Sequence, residues 1–597
     1  MNASDPDPPP VETPNPVERA ATGDEAAPPV GRVLGTEDAT PLEFWVGVDP
    51  DQYLQLDDIV VCERAVPGRD PVTLAGLVAQ VRARHEGARF DSDVFLIADG
   101  VLPAEIAEAA QVLTTRVDPE IWVPPTPGSA VRRASGRERD AALSFDAMQR
   151  KLPLGLGRDG RPLYANVDFI DGTRGAHINI SGISGVATKT SYATFLLYAL
   201  FHGQVLGAAA QHTKALIFNV KGEDLLFLDH DNACLDDAHR TKYFALGLQP
   251  GPFRSVRVFA PARPGDVNAT PEVAARTTGV HAFWWTIEEF CRDELLPFVF
   301  ADAEDERNQY TMVIHNVTRQ LARGTPVGDH GAWQIEGETV RTYGELVDLI
   351  ERKISSDDDT DTQRAWAGPA ITRGTVNAFL RRLVSSQRSL ARLVFADIAR
   401  GERHSIETDE AQVAIVDLHN LPDRAQRFVV GVTLRRAFDR KEAAGTRQPL
   451  QFVVLDELNK YAPRDGTSPI KEILLDIAER GRSLGIVLVG AQQTASEVER
   501  RIIGNSAIRV VGRLDPAEAA RPEYGFLPVA HRQRATIAKP GTMFVTQPEL
   551  PVPLVVEFPF PAWATRPDEH GGSPTDTLAA QIGDDPFDLV AGSRPTS

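Results

Sequence analysis

Lys189-Thr190 and Asp456-Glu457 are the residues of this 597-residue chain whose types and neighbours point most directly to chemistry. The first pair ends the stretch GISGVATKTS, residues 182 to 191. That stretch approaches the phosphate-binding pattern G-x-x-x-x-G-K-[ST], in which backbone N–H groups at a strand-to-helix turn surround an anion. In such a loop Lys189 reaches the terminal phosphates and Thr190 places a hydroxyl on a magnesium ion. The fit is imperfect: Gly182 stands one position too far upstream, and Thr188 replaces the final glycine. That glycine normally permits close backbone approach or a positive φ. The second pair closes QFVVLDE (451 to 457), an apolar run ending in two carboxylates. The first carboxylate suits a metal shell and the second a base that polarises water. Taken alone, the same run is equally a strand ending in an acidic turn.

Elements of a particular kind must hold these pairs together. HINISG (177 to 182) reads as a strand leading into the loop, and TSYATFLLYALF as the buried helix after it. KALIFNV (214 to 220), QVAIVDL (412 to 418), QFVVLDE, GIVLVGA (485 to 491) and AIRVVGRL (507 to 514) are further apolar runs. Continuously hydrophobic strands alternating with helices belong to a mainly parallel sheet covered on both faces. SPIKEILLDIAERGRSLG is a capped helix, with Ser468 as N-cap, Pro469 in the first turn and Gly485 past the end. Arg480 and Arg482 lie near its C-terminus. Gln492 and Gln493 sit at the tip of the next strand, and Ser496 and Glu499 have capping-box spacing for the helix that follows. Arg464 and Lys471, between the DE pair and the capped helix, read as solvated surface charges. Residues 260 to 405 carry mainly helical patterns and interrupt the strand rhythm. Upstream, residues 31 to 135 hold short runs (GRVLGT, EFWVGV, DDIVVCERA, LAGLVAQVRA, DVFLIA, EIWVPP) expected to form a small β-barrel or sandwich, with a helix at PAEIAEAAQVL.

Composition bounds the partners. The net charge is −20, but residues 1 to 30 hold −5 of it and residues 565 to 597 hold −4. Both ends, and the acidic runs at 301 to 306 and 355 to 361, are expected to be solvated or disordered. A locally basic channel for a polyanion is therefore compatible with the acidic total. The three cysteines, Cys62, Cys234 and Cys291, form no CxxC pair, which suits a reducing cytoplasm better than a disulfide framework. The N-terminus has no signal-peptide pattern, and no run has the length of a membrane span.

The stretch DELNKYAP…AERGRSLGIVLVGAQQTASEVERRIIGNSAIRVVGRL resembles the C-terminal half of the HerA/FtsK superfamily of ring ATPases, and is most similar to HerA-like members. Gln493, Ser496, Glu497, Val498, Asn505 and Arg513 fit the family's places, and Arg482 fits its G-R arginine. Its preceding arginine falls on Glu479, with Arg480 one place later. FNVKGED resembles the family's D-P-K-G-E-Y strand end, with Asn219 in place of aspartate, and GRVLGTEDATPLEFWVGVDPDQYLQLDDIVV resembles its HAS-barrel.

The resemblance implies an α/β P-loop NTPase fold, RecA-like, behind a small N-terminal β-barrel. Its parts would be a Pro- and acid-rich tail (1–30), a HAS-barrel-like domain (31–135), an ATPase domain (136–565) with a mainly helical insertion (260–405), and an acidic tail (566–597). ATP would lie on Gly182, Ser184, Gly185, Val186, Ala187, Thr188, Lys189, Thr190 and Ser191. Mg2+ would lie on Thr190 and Asp456. Glu457 would serve as base, Gln493 as phosphate sensor, and Arg482 as an arginine acting on a neighbour's nucleotide. The implied assembly is a homo-hexamer pulling double-stranded DNA through its pore beside a nuclease or other effector, in DNA end processing or defence. A conjugation or secretion pump, and a nucleotide-binding scaffold with little turnover, are the alternatives.

Overall fold

The computed structural model describes residues 28–570 apart from 87, 89, 103, 184–187, 267, 277, 301–307, 356–359, 370 and 397–403, together with the side chains of 188, 308 and 360. The tails (1–27 and 571–597), the acidic run at 301–306 and most of that at 355–361 thus lie outside the described residues. Two compact units divide the chain, 1–147 and 148–597.

In the first unit six strands close a barrel in the order β1-β2-β5-β4-β3-β6: β1 (Pro29–Val33), β2 (Glu43–Val48), β3 (Ile59–Arg64), β4 (Val72–Glu86), β5 (Glu105–Asp118) and β6 (Ala130–Arg133). Its interior is a single cluster of inward side chains, including Val33, Phe44, Val60, Leu74, Val112 and Val131. Three sequence expectations fail here. The helix expected at PAEIAEAAQVL is strand β5, which pairs with β4 along its length and with β2 on its other side. The strand expected at DVFLIA is a short helix, Asp93–Ala98, none of whose residues is buried. EIWVPP forms no strand.

The second unit is built on a twelve-stranded sheet. Its strands are β7 (Lys151–Leu156), β8 (Pro162–Asn166), β9 (Ile178–Ser181), β10 (Lys214–Asn219), β11 (Val256–Pro261), β12 (Val280–Phe283), β16 (Val413–Asp417), β17 (Gln451–Leu455), β18 (Ile486–Gln492), β19 (Ile508–Val511), β20 (Thr542–Thr546) and β21 (Leu554–Glu557). They lie in the order β12-β11-β16-β10-β17-β18-β9-β19-β20-β21-β7-β8. From β12 to β19 every pairing is parallel; from β19 to β8 every pairing is antiparallel. The fold class expected from the sequence, an α/β chain with an N-terminal barrel and a mainly parallel sheet, is the one observed. Strands β16, β17 and β18 are buried at every position, as parallel strands covered on both faces must be.

Between β11 and β16, five helices (Ile287–Arg292, Asn308–Ala322, Tyr343–Ile354, Thr360–Ala367 and Arg373–Leu390) pack with a small sheet of β13 (Thr325–Val327), β14 (Ala332–Ile335) and β15 (Glu338–Val340). This block shares one hydrophobic core with the main sheet, through Phe290, Tyr343 and Phe379 on one side and Leu216, Val416 and Val453 on the other. The folded chain also runs past the boundary expected at 565. Pro567–His570 forms a 3-10 turn, and the His570 ring stacks 4.8 Å from Phe227. No helix among the described residues is long and apolar enough to cross a membrane.

Candidate nucleotide site at the strand tips

Parallel pairing fixes which residues meet at the C-terminal edge of the sheet, where ligands of open α/β sheets sit. Register places Asn219 beside Asp417, Phe218 beside Leu455, and Ser181 between Gln492 and Val511. Asp456 and Glu457, one and two residues past β17, therefore emerge between the ends of β10 and β18.

The loop is tethered at its start. Gly182 N–H donates to the carbonyl of Gln492 (3.2 Å), and Ile183 N–H to that of Arg513 (2.8 Å). A Cβ on Gly182 would come within 3.2 Å of the Arg513 carbonyl oxygen, so glycine suits this close approach. Ser184, Gly185, Val186 and Ala187 lie outside the described residues, as does the side chain of Thr188. The helix then runs Thr188–His202 and is buried along TFLLYALF, covered on all sides as its sequence predicts.

Lys189 is 5% exposed, and its Nζ donates to the Gly182 carbonyl at 2.8 Å. Burial pushes its ammonium below the usual lysine range, against the opposing pull of Asp456 and Glu457. Thr190 Oγ1 donates to Asp456 Oδ2 at 3.2 Å. Asp456 is itself 5% exposed, and its Oδ1 accepts the Glu457 N–H at 2.8 Å. Glu457 occupies the left-handed region (φ 55°, ψ 46°). This costs a non-glycine residue about 1 kcal/mol or more and recurs at functional sites. Lys189, Thr190 and Asp456 line one cavity of about 280 Å³, whose walls also include Ile183, Phe218 and Lys221.

The structure adds a residue to which the sequence reading gave no role. Lys221 Nζ lies 3.0 Å from Asp456 Oδ2 and 3.4 Å from Glu457 Oε1. Burial alone would lower its pKa, but the two carboxylates outweigh it and hold the ammonium above the usual range. The available signal was the lysine of FNVKGED, just past the apolar run KALIFN, in the stretch that resembles the family's D-P-K-G-E-Y strand end. Beyond it, Asn219 Nδ2 donates to Asp417 Oδ1 (2.9 Å), and the His419 ring lies 2.8 Å from Asp417 Oδ2. Burial raises the Asp417 pKa, and the hydrogen bond to Asp417 raises that of His419.

Gln492 is fully buried, and its Nε2 donates to Asn179 Oδ1 and Ser181 Oγ, both at 2.8 Å. Gln493 is the exposed residue past the strand. The capping box expected from Ser496 and Glu499 does not form. Ser496 Oγ donates to Glu518 (3.0 Å), and the short helix Arg500–Gly504 is capped by Glu499 alone. Lys471 is not solvated either; it is 6% exposed, bonded to the carbonyls of Arg464 and Gly466 and to Glu499. The helix Pro469–Leu484 has the expected caps, Ser468 accepting from Lys471 N–H and Gly485 at φ 72°. A Cβ on Gly485 would meet the Arg447 carbonyl oxygen at 1.7 Å, which excludes other residues.

Arg482 does not lie at this site. It lies near the end of that helix, just before β18 begins, at the opposite edge of the sheet from Lys189 and Asp456. There it donates to the carbonyls of Gly172 (3.2 Å) and Thr173 (2.8 Å) and is otherwise exposed.

No protein-family model matches the sequence, and no curated protein matches it. Among solved structures, VirB4 of Thermoanaerobacter pseudethanolicus is similar in fold at 14% identity, with 69% of this chain and 96% of that one covered and a TM-score of 0.42. The bacterial conjugative coupling protein TrwBdeltaN70, in an unbound form, matches at 11% identity, 73% and 93% coverage and a TM-score of 0.44. The plasmid coupling protein TrwB in complex with ADP and Mg2+ matches at 12%, 71% and 94%, with a TM-score of 0.43.

Proposed function

We propose that this chain is an ATPase whose turnover drives double-stranded DNA through a homo-hexameric ring in the cytoplasm, in concert with a nuclease or other effector. The observation that carries the reading is the convergence of Lys189, Thr190 and Asp456 on one cavity at the strand tips, with Glu457 next to Asp456 in the chain and bridged to it by Lys221. The donor set fits Mg2+: Thr190 and Asp456 offer hard oxygen ligands 3.2 Å apart, and the ammonium of Lys221 already stands as a cation against Asp456. When bound, the ion neutralises charge on the phosphate oxygens of the substrate.

Lys189 binds the γ-side phosphates by exchanging the Gly182 carbonyl for a phosphate oxygen. Thr190 and Asp456 would hold the ion, and Lys221 is the cation that would give up Asp456 to it. Glu457, turned by its left-handed backbone, takes a proton from the attacking water. Arg482 acts on the nucleotide of the adjoining subunit, since its own site lies across the sheet. A planar, permanently charged guanidinium suits that role.

Lys221 also favours a second reading. A cation fixed on both carboxylates slows the exchange that turnover needs, as expected of a nucleotide-binding scaffold. Mg2+-dependent ATP hydrolysis by the full chain, with and without double-stranded DNA and with Lys189→Ala as control, separates the two. DNA-stimulated turnover lost in the variant supports the motor. Slow turnover indifferent to DNA supports the scaffold. Turnover retained in Lys189→Ala removes both.

A further inference from the structure

The phosphate cavity opens on one side toward a second of about 340 Å³ with a different character. Ser191, Thr565 and Arg566 line both, so the two are contiguous. Charged side chains reach both, Lys189, Lys221 and Asp456 in the first and Glu557 and Glu569 in the second, but the second adds a wall of Pro540, Phe558, Pro559, Phe560 and Pro561, with His239 beside them. Its volume falls within the range of small-ligand pockets, which pair apolar walls with a few placed polar groups.

The sequence explains why this wall stands. EFPFP (557–561) follows β21, and its two prolines lack the N–H that would extend the ladder. Hydrogen bonds from behind fix the freed carbonyls: Tyr243 Oη donates to that of Phe560 (3.1 Å) and Asn232 Nδ2 to that of Pro561 (3.1 Å). Phe558 turns inward and packs on the helix that carries Lys189 and Thr190, its ring 5.0 Å from Tyr192 and 5.8 Å from Phe195. Wall and phosphate-binding helix thus form one packed piece. Phe560 does the opposite. It stays 39% exposed, its ring 5.9 Å from the imidazole of His239.

We propose that this second cavity takes the purine and ribose of the nucleotide whose phosphates lie on Lys189 and Thr190, with Phe560 the ring on which the base stacks. The proposal rests on the nucleotide reading above and assigns that site's nucleoside half. Direction along the helix agrees with it: Lys189 and Thr190 face the phosphate cavity alone, and Ser191, one residue on, is shared with the apolar one. An aromatic face accepts any base, so Phe560 supplies affinity, and the phosphate end supplies charge recognition.

Calorimetric titration of the full chain with Mg-ATP and with Mg-tripolyphosphate tests this. Phe560→Ala is expected to weaken ATP about tenfold, the change that ~1.4 kcal/mol of lost stacking produces, and to leave tripolyphosphate unchanged. Phe560→Tyr, which keeps the ring, is expected to bind ATP as the wild type does. Lys189→Ala is expected to weaken both ligands. Equal losses on both ligands in Phe560→Ala, or no loss on ATP, overturn the nucleoside assignment while Lys189 still defines a phosphate site. ATP binding that ignores Lys189→Ala overturns the nucleotide reading itself, and this assignment with it.

Discussion

Replacing Lys221 by alanine should make the protein saturate with magnesium more readily. The ammonium sits 3.0 Å from the carboxylate oxygen of Asp456 that also accepts from Thr190, so it holds the oxygens a metal shell requires. At that distance and an effective dielectric constant of about 20, the pair attraction is roughly 5 kcal/mol before solvent is considered. The lysine side chain is 42% exposed and its partner only 7%. Water therefore screens most of the attraction, and exposed pairs contribute about 1 kcal/mol or less. A competitor held by ~1 kcal/mol raises the required metal concentration roughly fivefold. The Mg2+ concentration giving half-maximal ATP turnover should thus fall about fivefold in Lys221→Ala. Lys460→Ala separates local charge from direct competition. Lys460 pairs with Glu457 (2.6 Å), the base rather than the metal ligand, so its loss should leave the magnesium requirement unchanged. An unchanged or higher requirement in Lys221→Ala, or an equal fall in both variants, refutes the competition argument.

Glu457→Gln should bind ATP with wild-type affinity and lose turnover by at least a hundredfold in a phosphate-release assay, because an amide cannot act as base. His177 should make stability pH-dependent. It is 2% exposed, burial pushes its pKa down to about 4, and Nδ1 accepts the Leu488 N–H at 3.0 Å, a bond that protonation abolishes. The unfolded chain takes up that proton from about pH 6.5 downward, so the contribution is present above pH 6.5 and lost toward pH 4, up to roughly 3 kcal/mol. His177→Gln should flatten the fall in melting temperature between pH 7 and pH 5, which thermal denaturation would show. Mixing Arg482→Ala with Lys189→Ala subunits, each inactive alone, should restore ATP turnover if Arg482 acts across an interface; full activity of Arg482→Ala alone would end that assignment.

Much of the second unit was legible because its signals are local. A parallel strand buried on both faces announces itself as an unbroken apolar run, and the chemistry follows at its tip: Lys189 and Thr190 after β9, Asp456 and Glu457 after β17. The helix Pro469–Leu484 was equally plain, since Ser468, Pro469 and Gly485 each satisfy a requirement of its own ends. The barrel was harder to read. PAEIAEAAQVL is rich in helix-forming alanine and glutamate, yet pairing with β4 and β2 on either side makes it a strand. Tertiary pairing overrides propensity of that size. DVFLIA misled in the opposite way: its apolar run stays on the surface, with Phe95 71% exposed.

What the sequence withheld about the site is non-local. Nothing near Lys221 in the chain says that β10 will lie beside β17, yet that one pairing, Phe218 against Leu455, puts the ammonium on Asp456. The apolar cavity depends on a longer reach still, since its wall at 557–561 meets the loop helix only because β20 returns antiparallel to β19 and β21 antiparallel to β20. The partners that give these residues a role are hundreds of positions away in the chain. The altered loop sharpens the point. With Thr188 where a glycine would let the backbone approach phosphate, the loop alone is a poor argument for a nucleotide. Its case is made by what the sheet assembles around it: a buried lysine, a hydroxyl and carboxylate within 3.2 Å of each other, and a second cation waiting on the same oxygens.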